Sequence, residues 1–205
     1  EYSRAVLEAL RQPLEDGVTT VSRVRARMQY LSRCMLVASM NPCPCGYYGS
    51  RIKACRCGSH EIRKYLDRIS GPLLDRIDLQ VEVDAVPVEE IHQAAPSENS
   101  LSVRNRVVQA RSLQAKRFEG TSIRSNAQME AKHLEDLALV TPEALRLLHR
   151  AMEQRGFSMR AYGRLIKVAR TIADLAGERQ VQVPAMAEAL QYRRIDAKYW
   201  GGGHD

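Results

Sequence analysis

Apolar residues recur at helical spacing through the second half of the chain. A run from Leu101 to Phe118 closes before Gly120, which is typical of a helix that ends at a glycine. Thr141-Pro142-Glu143 then starts a second helix, which Gly156 ends. The pattern predicts successive helices rather than strands.

A third helix has the clearest amphipathic stripe of the chain. Ser158 caps it and Gly177 ends it, with apolar residues recurring about every 3.6 positions. The stripe consists of Tyr162, Leu165, Ile166, Ala169, Ile172 and Ala173. Pro184 begins a last helix, so we predict an all-helical domain over residues 101–200, followed by a flexible glycine-rich tail at 201–205.

The first half mixes helical and strand-like patterns. A helix runs from a Ser3 cap to Asp16-Gly17, and a helix is expected around Glu61 to Arg68. Val18 to Val21 and Met28 to Tyr30 are strand-like on either side of a basic stretch, which predicts a hairpin with an arginine-rich tip.

Two short apolar runs predict further strands. Cys34 to Met40 is nearly continuous in apolar residues, as expected for a strand covered on both faces of a mixed or parallel sheet. Leu79 to Val83 predicts a second apolar strand before the composition changes at Val86-Pro87. The fold class is therefore α/β followed by all-α, with an α/β part over residues 1–86 and a linker over 87–100.

Charge and composition narrow the class of protein. The 31 Lys+Arg against 24 Asp+Glu give a net charge of +7, which favours a polyanionic partner without identifying one. No stretch approaches the roughly 18 consecutive apolar residues of a membrane span. The start Glu1-Tyr2-Ser3-Arg4 lacks an export signal, so we expect a cytoplasmic location and no membrane partner.

Four of the five cysteines form two Cys-x-Cys-Gly knuckles, Cys43-Pro44-Cys45-Gly46 and Cys55-Arg56-Cys57-Gly58. Four thiolates within one loop satisfy a tetrahedral Zn²⁺, and glycines let the backbone N–H groups approach the sulfurs. The alternative is four reduced thiols packed in a small loop. His60 is a substitute ligand or a surface histidine, and Cys34 is expected to be a small core residue.

Three motifs in order along the chain resemble the ComM/YifB family of magnesium-chelatase-like AAA+ ATPases. They are Leu36-Val37-Ala38-Ser39-Met40-Asn41-Pro42-Cys43-Pro44-Cys45-Gly46, Ser70-Gly71-Pro72-Leu73-Leu74-Asp75-Arg76-Ile77-Asp78, and Ser158-Met159-Arg160-Ala161-Tyr162-Gly163-Arg164. The resemblance implies the second half of a P-loop ATPase core followed by a helical lid.

The ATP-binding motifs of that family are absent from this sequence. It contains no G-x-x-x-x-G-K-[ST] and no Walker B acidic pair, and Glu1 to Gly17 resembles the segment that follows Walker B. We therefore expect the full-length protein to use ATP with Mg²⁺, and this chain alone not to hydrolyse ATP.

The resemblance implies roles around the γ-phosphate for several polar residues. Asn41 matches sensor 1, which orients the attacking water, although an Asn-Pro turn explains it equally. Arg76 resembles the arginine finger that reaches a neighbouring subunit's ATP, the alternative being a surface ion pair with Asp75 or Asp78. Arg160 matches sensor 2 and Arg164 is the other candidate, both as catalytic or nucleotide-binding arginines of the lid.

The predicted hairpin resembles the pre-sensor 1 hairpin that lines the channel of such rings. Its Arg23, Arg25 and Arg27 would contact DNA phosphates, with Arg51, Lys53 and Arg56 of the cysteine loop adding to them. A solvated basic face is the alternative for each of these residues. Tyr47 and Tyr48 either stack on bases or pack the loop. Leu31-Ser32 stands where the family pattern has a proline, which leaves the hairpin register open.

The resemblance as a whole implies a homo-hexameric DNA translocase or branch-migration helicase of the competence-associated type. A chelatase-type ATPase that drives metal insertion through a partner protein is the first alternative. A non-enzymatic, zinc-stabilised nucleic-acid-binding module is the second. The cysteine knuckles and the basic hairpin favour the DNA motor, because a chelatase motor has no evident need of either.

Overall fold

The computed structural model describes residues 2–83, 98–193, 195, 199 and 200, which fall into two compact units. The mixed unit contains described residues 2–77, 83, 199 and 200. The helical unit contains described residues 78–82, 98–193 and 195. Most of the predicted linker, residues 87–97, and the predicted tail at 201–205 lie outside the described residues.

The mixed unit begins with two helices rather than the one predicted. Helix α1 spans Arg4–Ala9 and α2 spans Arg11–Asp16. Pro13 has no N–H to donate to the carbonyl four residues earlier, which explains why a single continuous helix was the wrong prediction. Gly17, with φ of 65°, ends α2 as predicted, but the Ser3 side chain makes no capping bond.

The predicted hairpin is present. Strand β1 (Val18–Arg23) pairs antiparallel with β2 (Ala26–Leu31) from Val18↔Leu31 to Arg23↔Ala26, which leaves Val24 and Arg25 as the turn. Gln12 of α2 fastens β1, since its Oε1 accepts from Thr20 N and its Nε2 donates to Thr20 Oγ1, both at 3.1 Å. The hairpin is therefore tied to the preceding helix.

The two other predicted strands do not form. Residues 34–40 and 79–83 have no regular secondary structure, and Met35, Val37 and Val83 are largely exposed. An apolar run becomes a strand when a neighbouring strand pairs with its backbone, and the described residues contain no sheet besides the hairpin. Cys34 is likewise exposed, so its assignment to the core was wrong.

Two short helices complete the mixed unit. Helix α3 (Ser59–Leu66) confirms the helix expected there, and it buries Leu66. Helix α4 (Gly71–Leu74) has Ser70 as its N-cap, whose Oγ accepts from Leu73 N, and it buries Leu73 and Leu74. Trp200 Nε1 donates to Leu66 O at 3.2 Å, so the Trp200 side chain packs on α3.

The helical unit confirms the four predicted helices and contains a short one that was not predicted. The confirmed helices are α5 (Ser100–Arg117), α7 (Pro142–Arg155), α8 (Met159–Leu175) and α9 (Val183–Gln191), and the additional helix is α6 (Ala131–Leu137). Thr141 and Ser158 cap α7 and α8 by accepting from backbone N–H groups, and Gly156 takes the left-handed conformation after α7. These local signals set the helix boundaries.

Helix α8 lies at the centre of the helical unit. Leu165, Ile166, Ala169 and Ala173 of its stripe are buried in one core, which also includes Leu148 of α7 and Met186 of α9. Tyr162 and Ile172 pack against that core as partly buried residues. Burial of one apolar stripe from each helix is what stabilises such a bundle.

A search of the described helices for one long and apolar enough to cross a membrane finds none.

Candidate functional site

The four cysteines of the two knuckles converge in the mixed unit. Cys43 Sγ lies 3.4 Å from Cys45 Sγ and 3.7 Å from Cys55 Sγ, and all four sulfurs, including Cys57, lie within 4.8 Å of one another. A tetrahedral zinc with Zn–S bonds of about 2.3 Å spaces its ligands about 3.8 Å apart. The sulfurs therefore have the spacing that a single tetrahedral ion requires.

The backbone turns tightly at the first knuckle but not at the second. Gly46 has φ of 81°, a left-handed conformation, and Tyr48 N–H donates to Cys43 Sγ at 3.3 Å. Gly58 instead is extended and forms the N-cap of α3, where its N–H donates to Glu61 Oε2 at 3.0 Å. The prediction that both glycines serve the thiols is wrong for Gly58.

The thiols differ in how readily they lose a proton. Backbone N–H groups of Arg56 and Tyr47 lower the pKa of the Cys45 thiol to about 6. Removal from water, followed by the neighbouring thiols, raises the pKa of Cys57 to about 12. Deprotonation of the first thiol is favourable, but deprotonation of its neighbours is unfavourable because negative charges would then lie close together. A divalent cation at the centre would stabilise all four thiolates and so make their deprotonation favourable.

His60 is not part of the cysteine cluster. Within the described residues, the group that has metal-ligand spacing here consists of the four cysteines. His60 lies instead in the first turn of α3, beside Arg63 and Lys64. The cluster is therefore complete with four sulfurs and has no need of a histidine.

The hairpin arginines point in three directions. Side chains alternate across a strand, so Arg23 shares one face with Val21 and Met28, while Arg27 lies on the opposite face. Arg25 occupies the turn next to Val24, which is fully exposed. The tip thus presents positive charge on both faces and at its end.

In the cysteine loop, Lys53 Nζ lies 4.7 Å from the centre of the Tyr47 ring, and Arg51 is exposed. Tyr48 packs edge-on against Tyr199, with ring centres 6.0 Å apart. The packing alternative therefore holds for Tyr48, whereas Tyr47 remains at the surface.

Asn41 precedes the cysteine loop and is exposed. Its side chain lies against the first knuckle, since a Cβ placed on Gly46 would be 3.8 Å from Asn41 Cγ. The described contacts therefore connect the residue expected to be sensor 1 with the turn that shapes the cysteine cluster.

Arg76 is buried in the mixed unit rather than displayed at the surface. Its side chain is 7% exposed, Nη2 lies 2.5 Å from Glu15 Oε2 of α2, and Nη1 donates to Pro72 O at 2.6 Å. The alternative prediction of an ion pair with Asp75 or Asp78 named the wrong partner, because Arg76 forms its ion pair with Glu15. A finger role requires the guanidinium to leave Glu15.

The two lid arginines sit on α8 in different surroundings. Arg160 is exposed in the first turn of the helix. Arg164, one turn later, pairs with Asp78 at 2.5 Å. Burial lowers the pKa of nearby Lys167, and the positive charge of Arg164 lowers it further. Arg160, Arg164 and Lys167 therefore follow one another along α8, with Asp78 as the partner of Arg164.

Comparison with known proteins covers nearly the whole chain. The profile described as "Magnesium chelatase, subunit ChlI" matches residues 1–91, and that of its C-terminal part matches residues 97–193. The chain is 41% identical over 196 residues to "Competence protein ComM" of Haemophilus influenzae, which is 95% of this chain and 37% of that protein. It is 38% identical over 197 residues to YifB of Salmonella typhimurium and of Escherichia coli.

This chain belongs to the magnesium-chelatase-like ComM/YifB family. The chain spans 37% of the length of ComM and 38% of each YifB protein. Both profiles meet between residues 91 and 97, close to where the composition changes. The family places the chain in the AAA+ superfamily, which agrees with a mixed unit followed by helices.

A buried charged network in this family member escaped the sequence analysis. Arg170 and Asp174 of α8 are completely buried as side chains, with Nη2 and Oδ1 3.1 Å apart. Arg117 of α5 binds both carboxylate oxygens of Asp174, and Asn126 Nδ2 donates to Oδ2 at 2.8 Å. Two opposite charges four residues apart within the apolar stripe were the signal that could have revealed it.

Arg170 also binds backbone carbonyl groups of the turn that follows α8. Its guanidinium donates to Arg179 O at 2.9 Å and to Glu178 O at 2.6 Å. Burial lowers the pKa of Arg170, and the carboxylate of Asp174 opposes that shift. The network therefore holds α5, α8 and the turn after α8 together.

Proposed function

We propose that the full-length protein is a homo-hexameric AAA+ ATPase that moves along DNA, as a branch-migration helicase or translocase of the ComM type. The observation that carries the proposal is the hairpin with Arg23, Arg25 and Arg27 around its tip, in a chain 41% identical to a competence protein. Arginines at a channel bind phosphates without reading sequence, which suits a motor.

Three residues of this chain act on the nucleotide in this proposal. Asn41 orients the attacking water, Arg76 reaches the ATP of the neighbouring subunit, and Arg160 meets the γ-phosphate from the helical unit, with Arg164 as the alternative. Bound ATP with Mg²⁺ supplies the phosphoryl group whose transfer these side chains assist. The planar guanidinium of Arg76 suits this task because it offers two parallel donors to phosphate oxygens.

The exposed apolar segments support the proposal. Residues 34–40 and 79–83 have the composition of buried strands, yet Val37 is 83% exposed and Val81 64% exposed. We propose that strands from the rest of the full-length protein pair with them, which would bring Asn41 to the end of a buried strand. That is the position the sensor 1 role requires.

We further propose that the four cysteines hold one structural Zn²⁺. The sulfur spacing and the N–H donors around Cys43 and Cys45 suit a closed tetrahedral site, with all ligand positions filled by protein. A filled site leaves no position for substrate. The ion would therefore fix the loop that carries Arg51 and Lys53 instead of taking part in hydrolysis.

Replacing Cys43 by serine is expected to abolish zinc binding, because a hydroxyl replaces one of four thiolates. Elemental analysis of the purified full-length protein should give about one zinc per chain, and none for Cys43→Ser. Cys34→Ser is the matched control, since Cys34 lies outside the cluster. Equal zinc content in both variants would contradict the site.

Two other functions remain candidates. A chelatase-type ATPase that drives metal insertion is favoured by the family profiles, and a zinc-stabilised nucleic-acid-binding module is favoured by the cysteine cluster and the charge of +7. The chelatase-type function predicts that DNA does not change the rate of ATP hydrolysis. The second predicts DNA binding without ATP turnover.

ATP-dependent unwinding of a branched DNA by the full-length protein tests the proposal against both alternatives. We expect strand separation that requires ATP, and its loss in the variant Arg23→Ala/Arg25→Ala/Arg27→Ala, because removal of three phosphate contacts weakens the grip on DNA. The matched control replaces Arg104, Arg146 and Arg150, three exposed arginines of the helical unit. Turnover that DNA does not stimulate, with no unwinding, would exclude the DNA motor.

A further inference from the structure

Helix α3 has a basic face that belongs neither to the hairpin nor to the proposed nucleotide-binding residues. Its inner side carries Leu66, which is buried, and Ile62 and Tyr65, which are half-buried. The opposite side carries four residues on successive turns, and all four are exposed. These are His60, Arg63, Lys64 and Arg68, the last just beyond the end of the helix.

Arg4 of α1 extends this face into a cleft within the mixed unit. The cleft has a volume of about 340 Å³ and is lined by Arg4, His60, Arg63, Lys64, Asp67 and Arg68. Four permanent cations face one carboxylate there, so the lining carries an excess of positive charge even with His60 neutral. Like charges held in a concave surface reinforce each other's field and attract anions.

Two of these cations have no ion-pair partner among the described residues. Across the described parts of the chain, Arg63 and Lys64 take part in no ion pair, whereas the exposed Arg106 is paired with Glu98. Arg4 lowers the pKa of Glu8, which lies four residues further along the chain, so part of its charge is compensated. Arg68 lies over the ring of Tyr65, 5.8 Å from its centre. The charges of Arg63 and Lys64 are therefore available to a partner of opposite charge.

The length of the basic face matches a strand of nucleic acid. His60 and Lys64 are four residues apart, which corresponds to roughly 6 Å along a helix, and Arg68 follows just beyond the end of α3. One strand of a DNA duplex carries a phosphate about every 3.4 Å of helix axis, so the face is long enough to contact more than one phosphate. The helix also follows directly on Cys57 and Gly58, so the cysteine loop with Arg51 and Lys53 is continuous with it.

We propose that the cleft formed by Arg4 and the basic face of α3 is a second binding site for the phosphates of a DNA strand, separate from the hairpin. This inference rests on the proposed action on DNA. Because phosphates are bound and no base edge is read, the site should be indifferent to sequence and sensitive to salt.

The test compares DNA binding by the full-length protein and by Arg63→Ala/Lys64→Ala. Fluorescence anisotropy with a labelled single strand of mixed sequence is measured over a series of salt concentrations. Loss of two phosphate contacts should weaken binding and reduce the slope of log K against log salt by about 1.4, at about 0.7 for each contact on a single strand. Alanine maintains the helix, and zinc content and far-UV circular dichroism verify the fold.

Two further variants make the result specific. Arg104→Ala/Arg150→Ala removes the same number of charges from exposed positions on helices of the helical unit, and it should leave the slope unchanged. Asp67→Asn removes the carboxylate from the cleft and should tighten DNA binding, an effect that structural damage would not produce.

An unchanged slope for Arg63→Ala/Lys64→Ala, while the hairpin variant loses affinity, would overturn the second site and leave the DNA motor intact. A loss of ATP binding with unchanged DNA binding would also overturn it, because the cleft would then serve a nucleotide. Absence of DNA binding by the parent protein would overturn the proposed function and this site with it.

Discussion

ATP turnover by the full-length protein should fall by about 1,000-fold or more when Arg76 is replaced by alanine, with ATP binding largely retained. An arginine finger contacts the charge that develops in the transition state, so its loss affects hydrolysis far more than ground-state binding. Hydrolysis at saturating ATP and the affinity for a fluorescent ATP analogue measure the two quantities. Equal losses in both would contradict a finger role.

Because Arg76 is buried, its replacement could also reduce ATP turnover by disturbing the fold. A second variant is needed to exclude that explanation. Glu15→Gln breaks the ion pair with Arg76 but keeps a hydrogen-bond acceptor and leaves the arginine in place. If Arg76 acts on a neighbour's ATP, this variant should retain turnover, because the guanidinium is then easier to release. If Arg76 merely fastens α2 to α4, Glu15→Gln should reproduce the loss seen with Arg76→Ala.

A mixing experiment separates action within a subunit from action on its neighbour. In the proposed ring, subunits with Arg76→Ala would retain an intact ATP site, whereas subunits that cannot bind ATP would retain an intact Arg76. Mixed rings should regain part of the turnover, because some interfaces then combine both intact parts. No recovery in rings shown to be mixed would place Arg76 outside the neighbouring site.

The helical unit should lose about 3–5 kcal/mol of stability when Asp174 is replaced by alanine. The carboxylate is fully buried between Arg117 and Arg170, and its removal leaves two cations without a counter-charge in the core. Urea unfolding followed by far-UV circular dichroism measures the loss, and amide exchange along α8 localises it.

Two other variants control for this network. Glu143→Ala removes an ion pair with Arg146 in which both side chains are more than half exposed, so it should cost at most about 1 kcal/mol. Asp174→Asn retains hydrogen-bonding atoms but not the charge, and should fall between the other two. Stability of Asp174→Ala within about 1 kcal/mol of the parent would show that the buried charges do not depend on this carboxylate.

Four helices of the second half, α5, α7, α8 and α9, could be predicted because their signals are local. Thr141 and Ser158 cap helices in the structure as the sequence indicated, and the stripe from Tyr162 to Ala173 packs where its period placed it. Caps and periodicity involve residues within one turn of each other, so no knowledge of distant contacts is needed.

The conformation of the apolar segments 34–40 and 79–83 could not be predicted in the same way. Their composition indicates buried strands, but a strand exists through its neighbours, and the described residues supply none. The hairpin was predictable because both of its strands lie within fourteen consecutive residues, 18–31, and pair with each other.

The amino-acid sequence by itself determined helices α5, α7, α8 and α9, the hairpin and the grouping of four cysteines, together with the membership of a family that the three motifs reveal. The tertiary structure alone decided that Glu15 holds Arg76, that Asp174 joins Arg117 to Arg170, and that Arg4 completes the basic face of α3. Arg76 lies 61 positions beyond Glu15, and Asp174 lies 57 positions beyond Arg117. The physical reason is that pairing between side chains depends on distance in space, and spacing along the chain carries no record of which remote groups folding brings within a few ångströms.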